Sequence, residues 1–188
     1  MQDVKAAIAE LQRCVRELGF KGAMINHQTN GIYLDDPLRA VLGSHTGSDV
    51  PLYLHPDNAY EKPHVLRGCP ELDEATWEWT TESASHALGL VVSGVLDRYP
   101  RLRIILGHMG DTLPYMFWRL DSRYALTQTN RKLKMPPSSY LKSNFSITMS
   151  GQFSDVPLAC AISALGEDNM MFSIDYPYAD SKRRGTIH

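Results

Sequence analysis

The apolar and polar positions of this chain alternate between two periods. Val4, Ile8, Leu11, Val15 and Leu18 recur at helical spacing, with Lys, Glu, Gln and Arg on the other face. That pattern predicts an amphipathic first helix, closed by Gly19. Residues 22–26 read as a short buried strand ending on the polar pair Asn26 and His27, and residues 51–55 as a second one ending on His55. Between them, Gly43, Ser44, Gly47 and Ser48 weaken any helix over 38–49. A polar loop over 56–73 has no periodicity, and loops of that size are functional or disordered. A helix over 74–97 follows, with Leu88, Val91, Val92, Val95 and Leu96 as its apolar stripe, and Pro100 separates it from a strand over 102–107.

Asp111 or Thr112 can cap the next helix, with Pro114 in its first turn and Met116, Phe117, Leu120 and Tyr124 as its buried face. A linker containing Pro136-Pro137 leads to a strand over 145–149. Asp155 caps a further helix that has Pro157 in its first turn and ends at Gly166, and a last strand over 170–174 delivers Asp175. The remaining residues read as a basic, unstructured tail. Strict alternation of strands and helices implies an α/β fold with parallel strands and right-handed crossovers. Five strands fit an open doubly wound sheet or part of an eight-stranded barrel. No Gly-rich nucleotide loop follows any strand, which counts against the dinucleotide-binding version.

Bulk properties narrow the class. A chain of 188 residues predicts one domain over 1–188, and a net charge of −2 with 43% hydrophobic and 21% charged residues is that of an ordinary soluble protein. No basic run exceeds Lys182-Arg183-Arg184, so no nucleic-acid partner is expected. The longest apolar stretch, around 88–96, is too short to span a bilayer, and residues 1–18 lack the apolar segment of a signal peptide. Cys14, Cys69 and Cys160 are far apart and odd in number, as expected of reduced thiols in a cytoplasmic protein.

Three apolar runs each end on a residue able to bind a metal: Leu52-Tyr53-Leu54-His55, Ile104-Ile105-Leu106-Gly107-His108 and Met171-Phe172-Ser173-Ile174-Asp175. In parallel α/β folds such groups gather at the carboxyl ends of the strands. Taken singly, His55 reads as a strand-end histidine hydrogen-bonded to backbone rather than as a ligand. His108, between Gly107 and Gly110, serves either a turn or a catalytic role. A carboxylate ending a buried strand, as Asp175 does on this reading, is costly unless paired or metal-bound. Together the three point to one site fed by several strands. His27, His45, His64, His86 and His188 read as solvated or structural, and Trp77, Trp79 and Trp118 as core or interface.

These runs, with His108-Met109-Gly110-Asp111-Thr112-Leu113-Pro114, Trp118-Arg119-Leu120-Asp121 and Asp175-Tyr176-Pro177-Tyr178, resemble the metal-dependent decarboxylases of the amidohydrolase superfamily. The similarity is to the hydroxybenzoate (resorcylate-type) branch, related to aminocarboxymuconate-semialdehyde decarboxylase. The resemblance implies a (β/α)8 TIM barrel, of which about five of eight strand–helix units are present, without the first strands and closing helices. It implies that His55 and Asp175 ligate a divalent metal, zinc or manganese, and that Asp175 also protonates the ring. It makes His108 the catalytic histidine, oriented by Asp111 where close members usually carry Glu, and puts Asn26 and Tyr178 near the substrate. The implied activity is non-oxidative decarboxylation of a hydroxylated aromatic carboxylic acid by a homo-oligomer. The Glu-x-His or His-x-His pair of the family's first strand is not found in this sequence. Two other functions remain open: a superfamily hydrolase of a lactone or amide, and an inactive fragment or interaction module.

Overall fold

The computed structural model describes residues 3–26, 28–29, 31–34 and 50–178. The stretch 38–49, His27, His45, His188 and the basic tail lie outside the described residues. Helix α1 (Val4–Arg16) starts where Asp3 accepts the Ala6 N–H at 3.0 Å, a conventional N-cap. It stops at Glu17, short of Leu18, which is exposed. Strand β1 (Ala23–Asn26) follows, then β2 (Leu52–His55), β3 (Ile104–Leu106), β4 (Phe145–Thr148) and β5 (Met170–Met171). All neighbouring pairs are parallel, and the spatial order is the sequence order.

That order bears out the barrel that the resemblance implies, over the doubly wound sheet that strand count alone left open. A doubly wound sheet reverses strand order midway, so that right-handed crossovers lay helices on both faces. Here the strands follow one another without reversal, and the helices among the described residues pack on one face, as in a barrel. Leu52, Leu54, Ile104, Leu106, Phe145 and Ile147 point to that face and are almost fully buried. They join one core with Ala87, Leu90 and Val91 of α2 (Glu78–Val92), Leu113 of α4 (Leu113–Leu126), Leu141 of α5 (Pro137–Asn144) and Ala161 and Leu165 of α6 (Asp155–Leu165). The alternate residues, Tyr53, His55, Ile105 and Ser146, are half-buried on the opposite face, and Met24 is exposed there.

Several expected boundaries move. The helix over 74–97 divides into α2 and a short α3 (Val95–Arg98), because Gly94 takes a φ of 78° between them. Asp155 lies inside α6, with Ser154 at the N-cap and no side-chain cap bond. Neither Asp111 nor Thr112 caps α4 with its side chain. The Pro136-Pro137 linker opens α5, because Pro137 suits a first turn and Asp121 accepts from both the Ser138 N–H and hydroxyl, at 2.9 and 2.6 Å. Tyr140 and Leu141 then bury that helix. Trp118 is solvent-exposed rather than core.

The loop over 56–73 is anchored. Glu78, buried at the start of α2, accepts from the Ala59 and Glu74 backbone N–H groups at 3.2 and 3.1 Å. Trp79 donates to Asn58 at 2.7 Å, and Lys62 pairs with Asp73 at 2.6 Å. His86 is structural, as expected: it is buried and accepts the Leu34 N–H at 3.1 Å.

Candidate active site at the carboxyl ends of the strands

Strand β2 stops at His55 because Pro56 removes the next ladder donor. The His55 Nδ1 lies 2.8 Å from the Pro56 carbonyl. A carbonyl only accepts, so Nδ1 carries the proton and the Nε2 lone pair is left for a metal or a proton. Asn26, paired in register with His55 across β1 and β2, is exposed beside it.

After β3 the backbone turns left-handed. His108, Met109, Gly110, Asp111 and Thr112 all have positive φ, between 48° and 79°. Each non-glycine residue so placed costs roughly 1–2 kcal/mol, and such strain collects where structure over-determines it. The turn is closed by Gly110 N–H to Gly107 C=O at 2.8 Å and Asp111 N–H to His108 C=O at 3.2 Å. Its effect is to swing Asp111 inward, under His108, instead of outward as a helix cap. The Asp111 carboxylate is buried, and its Oδ1 lies 3.4 Å from His108 Nδ1. Among the described residues neither carboxylate oxygen has a well-aligned hydrogen bond; the long contact to His108 and the approach of Thr80 from α2 take its place.

The electrostatics follow from burial and neighbours. Burial opposes protonation of His108, but Asp111, with Asp175 further off, outweighs it and raises the imidazole pKa above its ordinary 6.5. Burial pushes the Asp111 carboxyl up, against the pull of His108, Thr80 and His55. The His108 imidazole thus feels Asp111 and Asp175, and the Asp111 carboxyl feels His108 and His55.

Asp175 arrives differently from the sequence expectation. Strand β5 ends at Met171, and the connecting Phe172 and Ile174 are exposed, so the carboxylate does not terminate a buried strand. It sits half-buried with a φ of 55°, and its carbonyl accepts the Tyr178 N–H at 2.9 Å. Tyr178 itself is largely exposed.

Sequence reasoning overlooked Gly151, Thr80 and a polar line below the site. A side chain on Gly151 would meet His108 Cδ2 at 2.8 Å and Asp175 Oδ2 at 3.5 Å, so the histidine edge and the carboxylate share one small space. The Tyr53 hydroxyl lies 3.2 Å from Thr148 Oγ1, which lies 2.7 Å from Ser150 Oγ, tying β2 to β4 past Gly107. The Ser150-Gly151 pair was a readable turn signal; the others carry none. A cleft of ≈ 380 Å³ opens beside His108, walled by Thr112, Tyr115, Gln152, Pro157 and Cys160 among others.

His55 and Asp175 are suitable donors for a divalent cation, but two ligands fall short of the three that a catalytic centre draws from its protein. Among the described residues no group of three or more His, Cys, Asp or Glu side chains is placed to hold a metal. The residues at hand do not by themselves make a metal centre.

Comparison with known proteins gives this geometry a context. The chain is 43% identical over 194 residues to gamma-resorcylate decarboxylase of Rhizobium sp. (strain MTP-10005), covering 95% of this chain and 58% of that protein. Its structure is similar to 2,6-dihydroxybenzoate decarboxylase complexed with 2,6-dihydroxybenzoate, with a TM-score of 0.89 and 42% identity over 97% of this chain and 59% of that one. It is also similar to a dihydroxybenzoic acid decarboxylase from Polaromonas sp. JS666 with bound manganese and the inhibitor 2-nitroresorcinol, with a TM-score of 0.88 and 41% identity, covering 94% and 56%. The chain thus spans somewhat more than half the length of these relatives, and its five parallel strands are an incomplete amidohydrolase-type TIM barrel. The amidohydrolase family model matches residues 1–186. By sequence and by fold, the chain belongs to the amidohydrolase family.

Proposed function

We propose that this chain carries the decarboxylation half-site of a metal-dependent carboxy-lyase acting on a hydroxylated aromatic carboxylic acid. The observation that carries the reading is the His108–Asp111 pair, turned inward by the left-handed turn and facing Asp175, in a chain 43% identical to a resorcylate decarboxylase. A divalent metal, with manganese favoured by the neighbours, would be held here by His55 and Asp175 together with ligands beyond the described residues, and would supply Lewis-acid stabilisation of the substrate's negative charge.

The chain's own groups have distinct tasks on this reading. Asp111 orients His108 through Nδ1, which leaves Nε2 facing the substrate. The raised pKa keeps more of the imidazole protonated near neutrality, so it stabilises negative charge on the phenolic oxygen. The Asp175 carboxyl gives its proton to the ring carbon bearing the carboxylate. The carbon–carbon bond then breaks, its electrons restore the aromatic ring, and carbon dioxide leaves. Asn26 and Tyr178, exposed at the rim, contact the substrate, a small aromatic acid.

The test is carbon dioxide release from 2,6-dihydroxybenzoate by manganese-loaded protein, with His108→Asn as the control. Release by the parent chain and loss of about a hundredfold in kcat in the variant would support the reading. Ring-opened or deamidated product without carbon dioxide would favour the hydrolase. A second reading, an inactive fragment or interaction module, is favoured by the lack of a three-ligand cluster among the described residues. Less than about a tenth of an equivalent of bound zinc or manganese, with no turnover, would establish it.

A further inference from the structure

We propose that Gly151 is a positioning residue for His108: the bare backbone of the turn at 149–152 is the wall on which the imidazole edge rests, and it aims Nε2 at the point that Asp175 Oδ2 also faces. The proposal rests on His108 being the catalytic histidine, and concerns what sets that ring's angle. A Cβ at residue 151 would lie 2.8 Å from His108 Cδ2, 3.6 Å from Nε2 and 3.5 Å from Asp175 Oδ2. Carbon atoms in contact prefer about 3.5–4.0 Å, so one side must move.

Neither side yields readily. The wall is a turn closed by the Gln152 N–H to the Met149 carbonyl at 3.2 Å, with Gly151 at its third position and a φ of 66°. Ser150 in the same turn is anchored to Thr148 at 2.7 Å. On the other side, the histidine's backbone is held in the left-handed turn, and its Nδ1 edge faces Asp111 at 3.4 Å. The ring is therefore gripped between Asp111 at one edge and the Gly151 backbone at the other. Gly94 supplies a control: it has a φ of 78°, but a Cβ at that position would have nothing within 4 Å, so alanine there meets the backbone penalty without the contact.

The experiment compares Gly151→Ala, Gly94→Ala, His108→Ala and the double variant Gly151→Ala/His108→Ala in the full chain. Nitrogen-resolved NMR of the imidazole and urea unfolding are the readouts. The His108 ring resonances should shift in Gly151→Ala and stay in place in Gly94→Ala. Gly151→Ala should raise the unfolding constant about tenfold more than Gly94→Ala, and this excess should vanish once His108 is alanine. If Gly151→Ala fails to fold, the double variant should regain folding, since it lacks the ring. Unmoved resonances, or an excess penalty that persists without His108, would overturn the proposal. Where the chain releases carbon dioxide, Gly151→Ala should lower kcat with KM kept. The spectral and stability arms do not need turnover, so an inactive chain would count against the proposed function and leave this inference standing on its own data.

Discussion

The two faces of the sheet are built from the same strands and do opposite work. On the helix-packed face, Leu52, Leu54, Ile104, Leu106, Phe145 and Ile147 are each 3% exposed or less and share one core. On the open face, Tyr53, His55, Ile105 and Ser146 are half-buried, and Met24 is 62% exposed. Because side chains alternate along a strand, a single residue step separates the residues that hold the fold from those that face the site. Stability and chemistry can therefore vary almost independently here, except at the left-handed turn, where Met109 is buried in the core and His108 faces the site.

The sharpest break of that comparison is Leu106→Ala against Ile105→Ala. The first should cost about 2–5 kcal/mol in urea unfolding, and the second well under half as much; similar losses would mean that the open face is packed. Next comes Asp111→Asn, which on the proposed function should cut decarboxylation by about a hundredfold while leaving the unfolding midpoint nearly unchanged. The substitution removes a buried charge as well as the orienting acceptor, so a collapse in stability would mark Asp111 as a fold residue instead.

Dependence on pH is a smaller effect with a definite sign. His108 has a raised folded pKa, so its stabilising contribution is full below its ordinary 6.5 and is lost as pH rises through the folded value. The raised Asp111 carboxyl acts in the same sense from 3.8 upward. Urea midpoints measured from about pH 5 to about pH 9 should fall with rising pH, and Asp111→Asn should flatten the curve. The smallest expected change is Tyr53→Phe, which removes the hydroxyl 3.2 Å from Thr148 and should cost about 0.5–1.5 kcal/mol with no change in the helix-packed core.

Much of the fold was legible from short-range pattern. The strand positions, their parallel arrangement and the helices that follow β2, β3 and β4 were legible from periodicity. Boundaries failed where one residue's backbone conformation overrode propensity. Gly94 in the left-handed region split a helix that Leu88 to Leu96 had made continuous by hydropathy. Helix α5 was hidden because Pro136-Pro137 looks like a linker until Asp121, on another helix, accepts from Ser138. The candidate residues were legible as types, since a His or Asp ending an apolar run is visible in one dimension. Asp175 was legible for the wrong local reason, because Phe172 and Ile174 are exposed rather than strand core.

What the sequence by itself determined is the family: runs such as His108-Met109-Gly110-Asp111-Thr112-Leu113-Pro114 identify the amidohydrolase relationship through local residue identity alone. The same resemblance implied the barrel, and the tertiary structure added the unreversed strand order that builds it. It also decided the inward rotation of Asp111 beneath His108 and the close approach of the Gly151 backbone to the edge of that ring. The physical reason is the range of the forces involved. Periodicity and turn chemistry act over a few residues, whereas the orientation of a catalytic side chain depends on contacts between residues as far apart in sequence as Gly151 and His108.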